Sequence, residues 1–301
     1  MERVEINQNV TFSRYVQGFW RAHTWQMSDQ ALNRHLHELV ARGITTMDHA
    51  DIYGDYQCEA IFGRALKLSP ELRDQIEIVT KCGIVLPSER LQQTGHRYDY
   101  SPQHIVNAVD QSLQHMGTDY IDTLLLHRPS PLMDPSDVVQ AIEQLVAQGK
   151  IRAFGVSNFN ASQLDLLNHT LMQHKCHVAV NQLEVSPYHI STLEDGTLDH
   201  MMTQNVNVMA WSPLGGGKLF DTTDARTRRI LSIVSPLALK YHVSTTAIIM
   251  AWLQRHPARI MPVLGTQQLA RVDEACAGAT VSLTDQEWFD IYVAARGEAI
   301  P

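Results

Sequence analysis

Apolar residues along the chain recur in two alternating rhythms, one helical and one extended. Val138, Val139, Ile142, Leu145 and Val146 fall at i, i+1, i+4, i+7 and i+8, behind Asp134-Pro135 and ahead of Gly149. A carboxylate cap, a proline at the first helical position and a closing glycine bracket one amphipathic helix. Ser101-Pro102 opens a second, with Ile105, Val106, Val109, Leu113 and Met116 on one face and Gly117 after it; Ser28 opens a third that runs to Gly43. Between such helices lie short runs rich in Val, Ile and Leu, at residues 45–47, 76–79, 120–126, 151–156, 178–180, 206–210 and 260–264, and residues 16–19 supply an eighth. These runs lack two-faced alternation, so they read as buried parallel strands.

Eight strand and helix units predict an α/β fold, a single (β/α)8 TIM barrel occupying residues 1–301 as one domain, with no linker or charge block to divide it. Residues 4–6 and 10–12 flank Asn7-Gln8-Asn9 as an N-terminal β-hairpin that would floor the barrel, and residues 283–296 read as a C-terminal extra helix. Composition changes this picture little, but charge narrows it. Lys plus Arg is 24 against 32 for Asp plus Glu, a net charge of −8, which lacks the electrostatic footprint of a nucleic-acid binder. No run approaches the length of a membrane span, and Met1-Glu2-Arg3-Val4-Glu5 lacks the order of a signal peptide, so a cytoplasmic protein is expected. Cys58, Cys82, Cys176 and Cys276 lie far apart with no CxxC pair, which reads as reduced thiols rather than a disulfide framework or a thiolate zinc site. No feature sets an oligomeric state.

In such a barrel, chemistry sits at the carboxyl ends of the strands. Here the apolar runs end in Asp48, Lys81, His127, Ser157-Asn158, Asn181-Gln182 and Trp211-Ser212, with Tyr53 five residues beyond Asp48. Singly, each has an ordinary structural role as a cap, a solvated cation or a packed ring. Brought to one mouth, a carboxylate, an ammonium, a phenol and an imidazole form a proton-donating device.

Six motifs in order then resemble the aldo-keto reductase family across nearly the whole chain: Asp48-His49-Ala50-Asp51-Ile52-Tyr53-Gly54, Thr80-Lys81, Leu124-Leu125-Leu126-His127-Arg128-Pro129, Gly155-Val156-Ser157-Asn158-Phe159, Asn181-Gln182 and Trp211-Ser212-Pro213-Leu214. The resemblance implies NAD(P)H-dependent reduction of aldehydes and ketones, with Asp48, Tyr53, Lys81 and His127 in the four catalytic positions. A carbonyl that accepts a hydride becomes an alkoxide, so its oxygen needs a donor, and Tyr53 suits that part. Lys81 would stabilise the phenolate, Asp48 would keep Lys81 charged, and His127, neutral or cationic, would orient the substrate oxygen.

The resemblance also implies that Ser157, Asn158 and Gln182 hold the nicotinamide carboxamide and that Trp211 lies against its ring. Ser212, Leu214 and the glycine loop through Gly217 would approach the pyrophosphate. After the last strand, Gly265, Thr266, Gln268, Arg271 and Glu274 fall where the family places the adenosine end. Arg271 with helix-start amides suits a 2′-phosphate, so NADP(H) is expected over NAD(H). Ala275 stands where an Asn commonly follows the matching Glu, and Gly265 where other members carry a basic residue. No GxGxxG follows a strand, which excludes a Rossmann dehydrogenase.

Trp20, Trp25 and Tyr56, with the insertion at residues 86–100, are the candidate substrate-pocket walls and suggest a small apolar or aromatic carbonyl compound. Two rival readings remain. A cofactor-bound regulatory subunit that senses nicotinamide redox state would keep the same tetrad. A metal-dependent hydrolase is prompted by the 15 His and by Asp48-His49-Ala50-Asp51, but only Asp48 and His127 end strands. Most other histidines, including His35, His37, His104, His115 and His200, fall on expected helices as solvated residues, so no metal is expected.

Overall fold

The computed structural model describes residues 1–301. Eight strands, Val16–Gly18, Thr46–Asp48, Glu77–Cys82, Ile121–Leu126, Ile151–Ser157, Val180–Glu184, Asn207–Trp211 and Met261–Leu264, close into a barrel whose neighbours follow sequence order around the ring. Pairing is parallel, with Asp48 opposite Val79, Lys81 opposite Leu125, and Leu125 opposite Gly155. The fourth strand is buried at every residue, as expected of parallel strands covered on both faces. By compactness the chain divides into two units, Met1–Asn181 and Gln182–Pro301.

In the first unit the helix signals act as read. Ser28, Ser101 and Asp134 accept from the backbone N–H groups of Ala31, His104 and Ser136, which satisfies donors that a helix start leaves open. The N-terminal hairpin pairs Arg3–Asn7 with Val10–Ser13. Its residues reach the amino ends of the barrel strands: Arg3 pairs with Glu77 at 2.5 Å, and Ser13 Oγ accepts from the Thr45 and Thr46 amides at 3.1 Å.

Two expectations are corrected. The sixth strand runs over Val180–Glu184 rather than 178–180, so Asn181 and Gln182 lie inside it. Polarity ended the apolar run, but the strand continues because the amides find partners: Asn181 Nδ2 donates to the Phe159 carbonyl at 2.8 Å. His35 is buried, not solvated. It shares a helix face with Leu32, Leu36 and Leu39 and meets the Trp25 ring edge-on at 5.9 Å, and burial lowers its pKa.

In the second unit, Thr245–Arg255 is a core helix buried from Thr246 to Leu253. The expected last helix is Asp285–Arg296, opened by a reciprocal cap between Thr284 and Glu287. Trp252 and Trp288 join the two helices with rings stacked at 5.1 Å. Each indole N–H donates to the other's carbonyl, at 3.1 and 3.0 Å. No single helix in the chain is long and apolar enough to cross a membrane.

Gly63 sets how closely the helices Cys58–Leu66 and Pro102–Met116 approach. A Cβ there would lie 2.1 Å from the His115 carbonyl oxygen and 2.7 Å from Met116 Cα. Alanine improves helix propensity by about 1 kcal/mol, but overpacking against backbone costs about 1–3 kcal/mol and outweighs it. Gly63→Ala is therefore expected to lower the urea midpoint followed by circular dichroism; an unchanged or raised midpoint contradicts the steric account.

Candidate active site

Asp48 closes the second strand, Lys81 lies in the third, and His127 directly follows the fourth. Register brings them together in the first unit with Tyr53, which opens the turn Tyr53–Tyr56. Lys81 has no exposed side-chain surface. Its Nζ donates to Asp48 Oδ1 at 2.8 Å, to the His49 carbonyl at 2.7 Å and to the Tyr53 hydroxyl at 3.2 Å. The Tyr53 and His127 rings meet edge-on with centroids 5.8 Å apart.

Burial alone would discharge Lys81, but the Asp48 charge and the hydrogen bonds to Asp48 and Tyr53 more than offset it and raise its pKa. The group is an ammonium. For Tyr53 burial is the largest influence and raises the phenol, while Lys81 pulls it down and Asp48 pushes it up, leaving it above its ordinary value. The lysine acts in the expected direction, and burial is stronger. His127 is held well below its ordinary range by burial, then by the Lys81 and Arg128 charges, which decides for a neutral imidazole. Its Nδ1 is buried without a hydrogen-bond partner.

His49 figures in the sequence only as part of its motif, yet its carbonyl holds Lys81. Its ring stacks on Phe19 at 4.5 Å and packs on Phe62 at 4.4 Å, with neither nitrogen hydrogen-bonded. The backbone around it is strapped to the third strand by His49 N–H to the Val79 carbonyl and Asp51 N–H to the Lys81 carbonyl, at 2.8 and 3.1 Å. Beneath lies Glu59, buried and accepting from Thr80 Oγ1 at 2.5 Å. Burial, with the Glu59 charge, raises the Asp51 carboxyl well above its ordinary value.

After Tyr53 the backbone is left-handed at three successive residues, Gly54, Asp55 and Tyr56, with φ of 59°, 53° and 61°. For the two non-glycine residues this costs about 1–2 kcal/mol each, so other contacts must hold the turn. Those contacts come from the 86–100 insertion, whose strand Arg97–Tyr98 pairs antiparallel with Ile84–Val85 just before it. Arg90 and Gln93 supply them, and no sequence signal marked either. The three pocket candidates separate. Trp20 is 58% exposed with the Arg21 guanidinium 5.0 Å over its ring, and Trp25 is 7% exposed and packed against Phe19. The Tyr56 hydroxyl accepts from the Leu86 amide and from Gln93 Nε2, both at 2.9 Å.

Also in the first unit, Ser157 ends the fifth strand and Asn158 follows at φ 63°, its Nδ2 donating to Ser157 Oγ at 2.8 Å. In the second unit, Gln182 is buried, and Trp211, Ser212 and Leu214 are half-buried at the end of the seventh strand. Ser212 and Gly215 to Gly217 are left-handed at φ 48°, 62°, 65° and 99°. Within this loop the Gly215 and Gly217 amides donate to the Ser212 and Leu214 carbonyls, at 2.8 and 3.2 Å. A Cβ on Gly217 or Gly265 would meet nothing within 4 Å, so the backbone there is open to a ligand. Thr266 Oγ1 accepts from the Gln268 amide at 3.1 Å, and Gln268 gives no side-chain cap to the helix Leu269–Cys276. Arg271 and Glu274 are exposed on that helix. The exposed Arg271 guanidinium and the open backbone at Gly217 and Gly265 fit a dinucleotide's phosphates. No group of three or more His, Cys, Asp or Glu is arranged to hold a metal ion.

The chain belongs to a class of oxidoreductases, since the sequence model of the Aldo/keto reductase family matches residues 16–294. It is 43% identical over 303 residues to the uncharacterized oxidoreductase YcsN of Bacillus subtilis (strain 168) and 43% identical over 303 residues to the oxidoreductase YdhF of Escherichia coli (strain K12). It is 41% identical over 302 residues to a 6-dehydroglucose reductase of Agrobacterium fabrum. Each match covers 100% of both chains. The chain is thus an aldehyde or ketone reductase.

The buried His49 ring has a consequence for acid stability. Burial first, and the Lys81 charge second, lower its pKa from 6.5 to about 3. Between those values the unfolded chain binds a proton that the folded chain refuses. The stability contribution is complete above pH 6.5 and is lost as pH falls, by about 1.4 kcal/mol per pH unit. His49→Phe removes this dependence and strands no hydrogen-bond partner. Urea unfolding at pH 7, 6 and 5 should show a shallower loss for the variant by about that slope below pH 6; parallel losses exclude the assignment.

Proposed function

We propose that the protein catalyses NADP(H)-dependent reduction of an aldehyde or ketone with Tyr53 as general acid. The observation that carries this reading is the fully buried Lys81 ammonium, bonded at once to Asp48 and to the Tyr53 hydroxyl. A bound reduced nicotinamide supplies hydride to the carbonyl carbon. Tyr53 holds its proton until an oxygen with developing charge lies against it, because burial keeps the phenol neutral. Lys81 then stabilises the phenolate, and Asp48 keeps Lys81 charged. His127, neutral, hydrogen-bonds the carbonyl oxygen and orients it.

In the first unit, Ser157 and Asn158 are assigned to the carboxamide. In the second, Gln182 shares that part, Trp211 offers a flat face, and Ser212, Leu214 and Gly215 to Gly217 receive the pyrophosphate. Gly265, Thr266, Gln268, Arg271 and Glu274 receive the adenosine end. The family match spans both units, which supports treating residues 1–301 as one catalytic domain. A cytoplasmic setting agrees with the four free thiols. The full-length relative named for 6-dehydroglucose supports an oxidised hexose as the first substrate to test, beside aromatic aldehydes near Trp20 and Tyr56. Sustained turnover by the isolated chain would separate this reading from a cofactor-sensing subunit.

Tyr53→Phe deletes the donor and little volume, so kcat should fall about 10²–10⁴-fold with cofactor Kd unchanged. NADPH oxidation followed at 340 nm, with cofactor binding by fluorescence, checks both. A variant that keeps half of wild-type kcat when chemistry is rate-limiting removes Tyr53 from this role.

Cofactor preference depends on Arg271 in the first turn of its helix. A charge-assisted hydrogen bond contributes roughly 1.5–3 kcal/mol, and about 1.4 kcal/mol is tenfold in affinity. Arg271→Ala should raise the Kd for NADPH roughly tenfold to a hundredfold and leave that for NADH nearly unchanged. Equal losses for both cofactors would sink the assignment of Arg271 to the 2′-phosphate.

A further inference from the structure

The insertion at residues 86–100 is rooted on the strand of Lys81 and grips the turn of Tyr53. It leaves Cys82, the last residue of Glu77–Cys82, through Gly83 into Ile84–Val85. Its tip is closed by Ser88 and Gln93, whose amides exchange hydrogen bonds with each other's carbonyls at 2.9 Å. From this tip Arg90 Nη2 donates to the Asp55 and Tyr56 carbonyls, at 2.7 and 3.2 Å, and the guanidinium faces the Asp55 carboxylate at 3.7 Å. Gln93 Nε2 donates to the Tyr56 hydroxyl at 2.9 Å and to the Leu86 carbonyl at 2.6 Å. On the other side the turn is held by Gln57, whose amide reaches the Tyr53 carbonyl and whose Nε2 reaches the Gly54 carbonyl, both at 3.1 Å.

The carbonyls that Arg90 takes belong to two non-glycine residues in left-handed conformation. Such a turn relaxes toward right-handed or extended backbone unless something outside it fixes the geometry. Tyr53 lies two residues before the first of them, so relaxation would swing its ring from Lys81.

We infer that Arg90 and Gln93 are positioning residues for the proton donor: from a loop anchored on the strand of Lys81, they fix the left-handed turn that keeps the Tyr53 hydroxyl at Lys81 Nζ. This rests on the reading of Tyr53 as the acid. Neither residue touches Lys81 or the Tyr53 side chain through a hydrogen bond, so their effect passes through the turn alone.

Arg90 is 42% exposed at its side chain, so replacing it leaves the core intact. Arg90→Ala and Gln93→Ala should lower kcat roughly tenfold to a hundredfold while KM for the carbonyl compound and Kd for the cofactor stay within about twofold. Arg90→Lys, which still offers a cation and donors to the two carbonyls, should recover most of the loss. Amide hydrogen exchange by mass spectrometry should quicken in the peptide covering residues 50–60 of Arg90→Ala and stay unchanged in the barrel strands. Unchanged kcat in both alanine variants, a loss expressed in KM, or faster exchange throughout the first unit overturns the inference. Tyr53→Phe run in parallel separates the failures: full activity there removes the acid, whereas an inactive Phe variant beside a fully active Arg90→Ala removes only the positioning role.

Discussion

Lys81 has no solvent-exposed side-chain surface, and an ammonium at such a place persists because the Asp48 carboxylate lies 2.8 Å away. Removing one partner of a buried pair strands the other charge, typically at about 3–5 kcal/mol, so the pair constrains everything around it. It constrains strand register, since Asp48 must stand opposite Val79 for its carboxylate to meet a side chain two residues further along that strand. It also recruits a backbone carbonyl, that of His49, as the second acceptor. The remaining hydrogen bond of the ammonium goes to the Tyr53 hydroxyl.

Burial keeps the neighbouring phenol and imidazoles uncharged. Tyr53 retains its proton, and His127 and His49 refuse one. No imidazolium competes with Lys81 for Asp48 or for a nascent phenolate. In the proposed reaction, proton transfer from Tyr53 would then run outward to an acceptor and not inward to a neighbouring base.

The barrel, and the meeting of Asp48, Tyr53, Lys81 and His127 near one another, were legible because they rest on local patterns. Helix caps at Ser28, Ser101 and Asp134 and the apolar runs between helices are read within a few residues, and parallel topology carries the strand ends to one face. Hydropathy failed at Asn181 and Gln182, since a strand is defined by backbone pairing and continues through polar residues that find partners. His35 misled because a helix face can bury an aromatic imidazole as readily as a leucine. The Arg90 and Gln93 contacts left no trace. Their partners lie 34 to 37 residues away, and the left-handed Asp55 and Tyr56 carry no glycine to announce them.

The paired indoles of Trp252 and Trp288 make the last helix part of the core of the second unit. They are 36 residues apart, so the two halves of the contact come from separate stretches of the chain. Without the later helix, the ring, indole N–H and carbonyl of Trp252 all lack the surface that covers them in the finished protein. A chain cut short before Asp285 would present an aromatic face on its core helix to other chains.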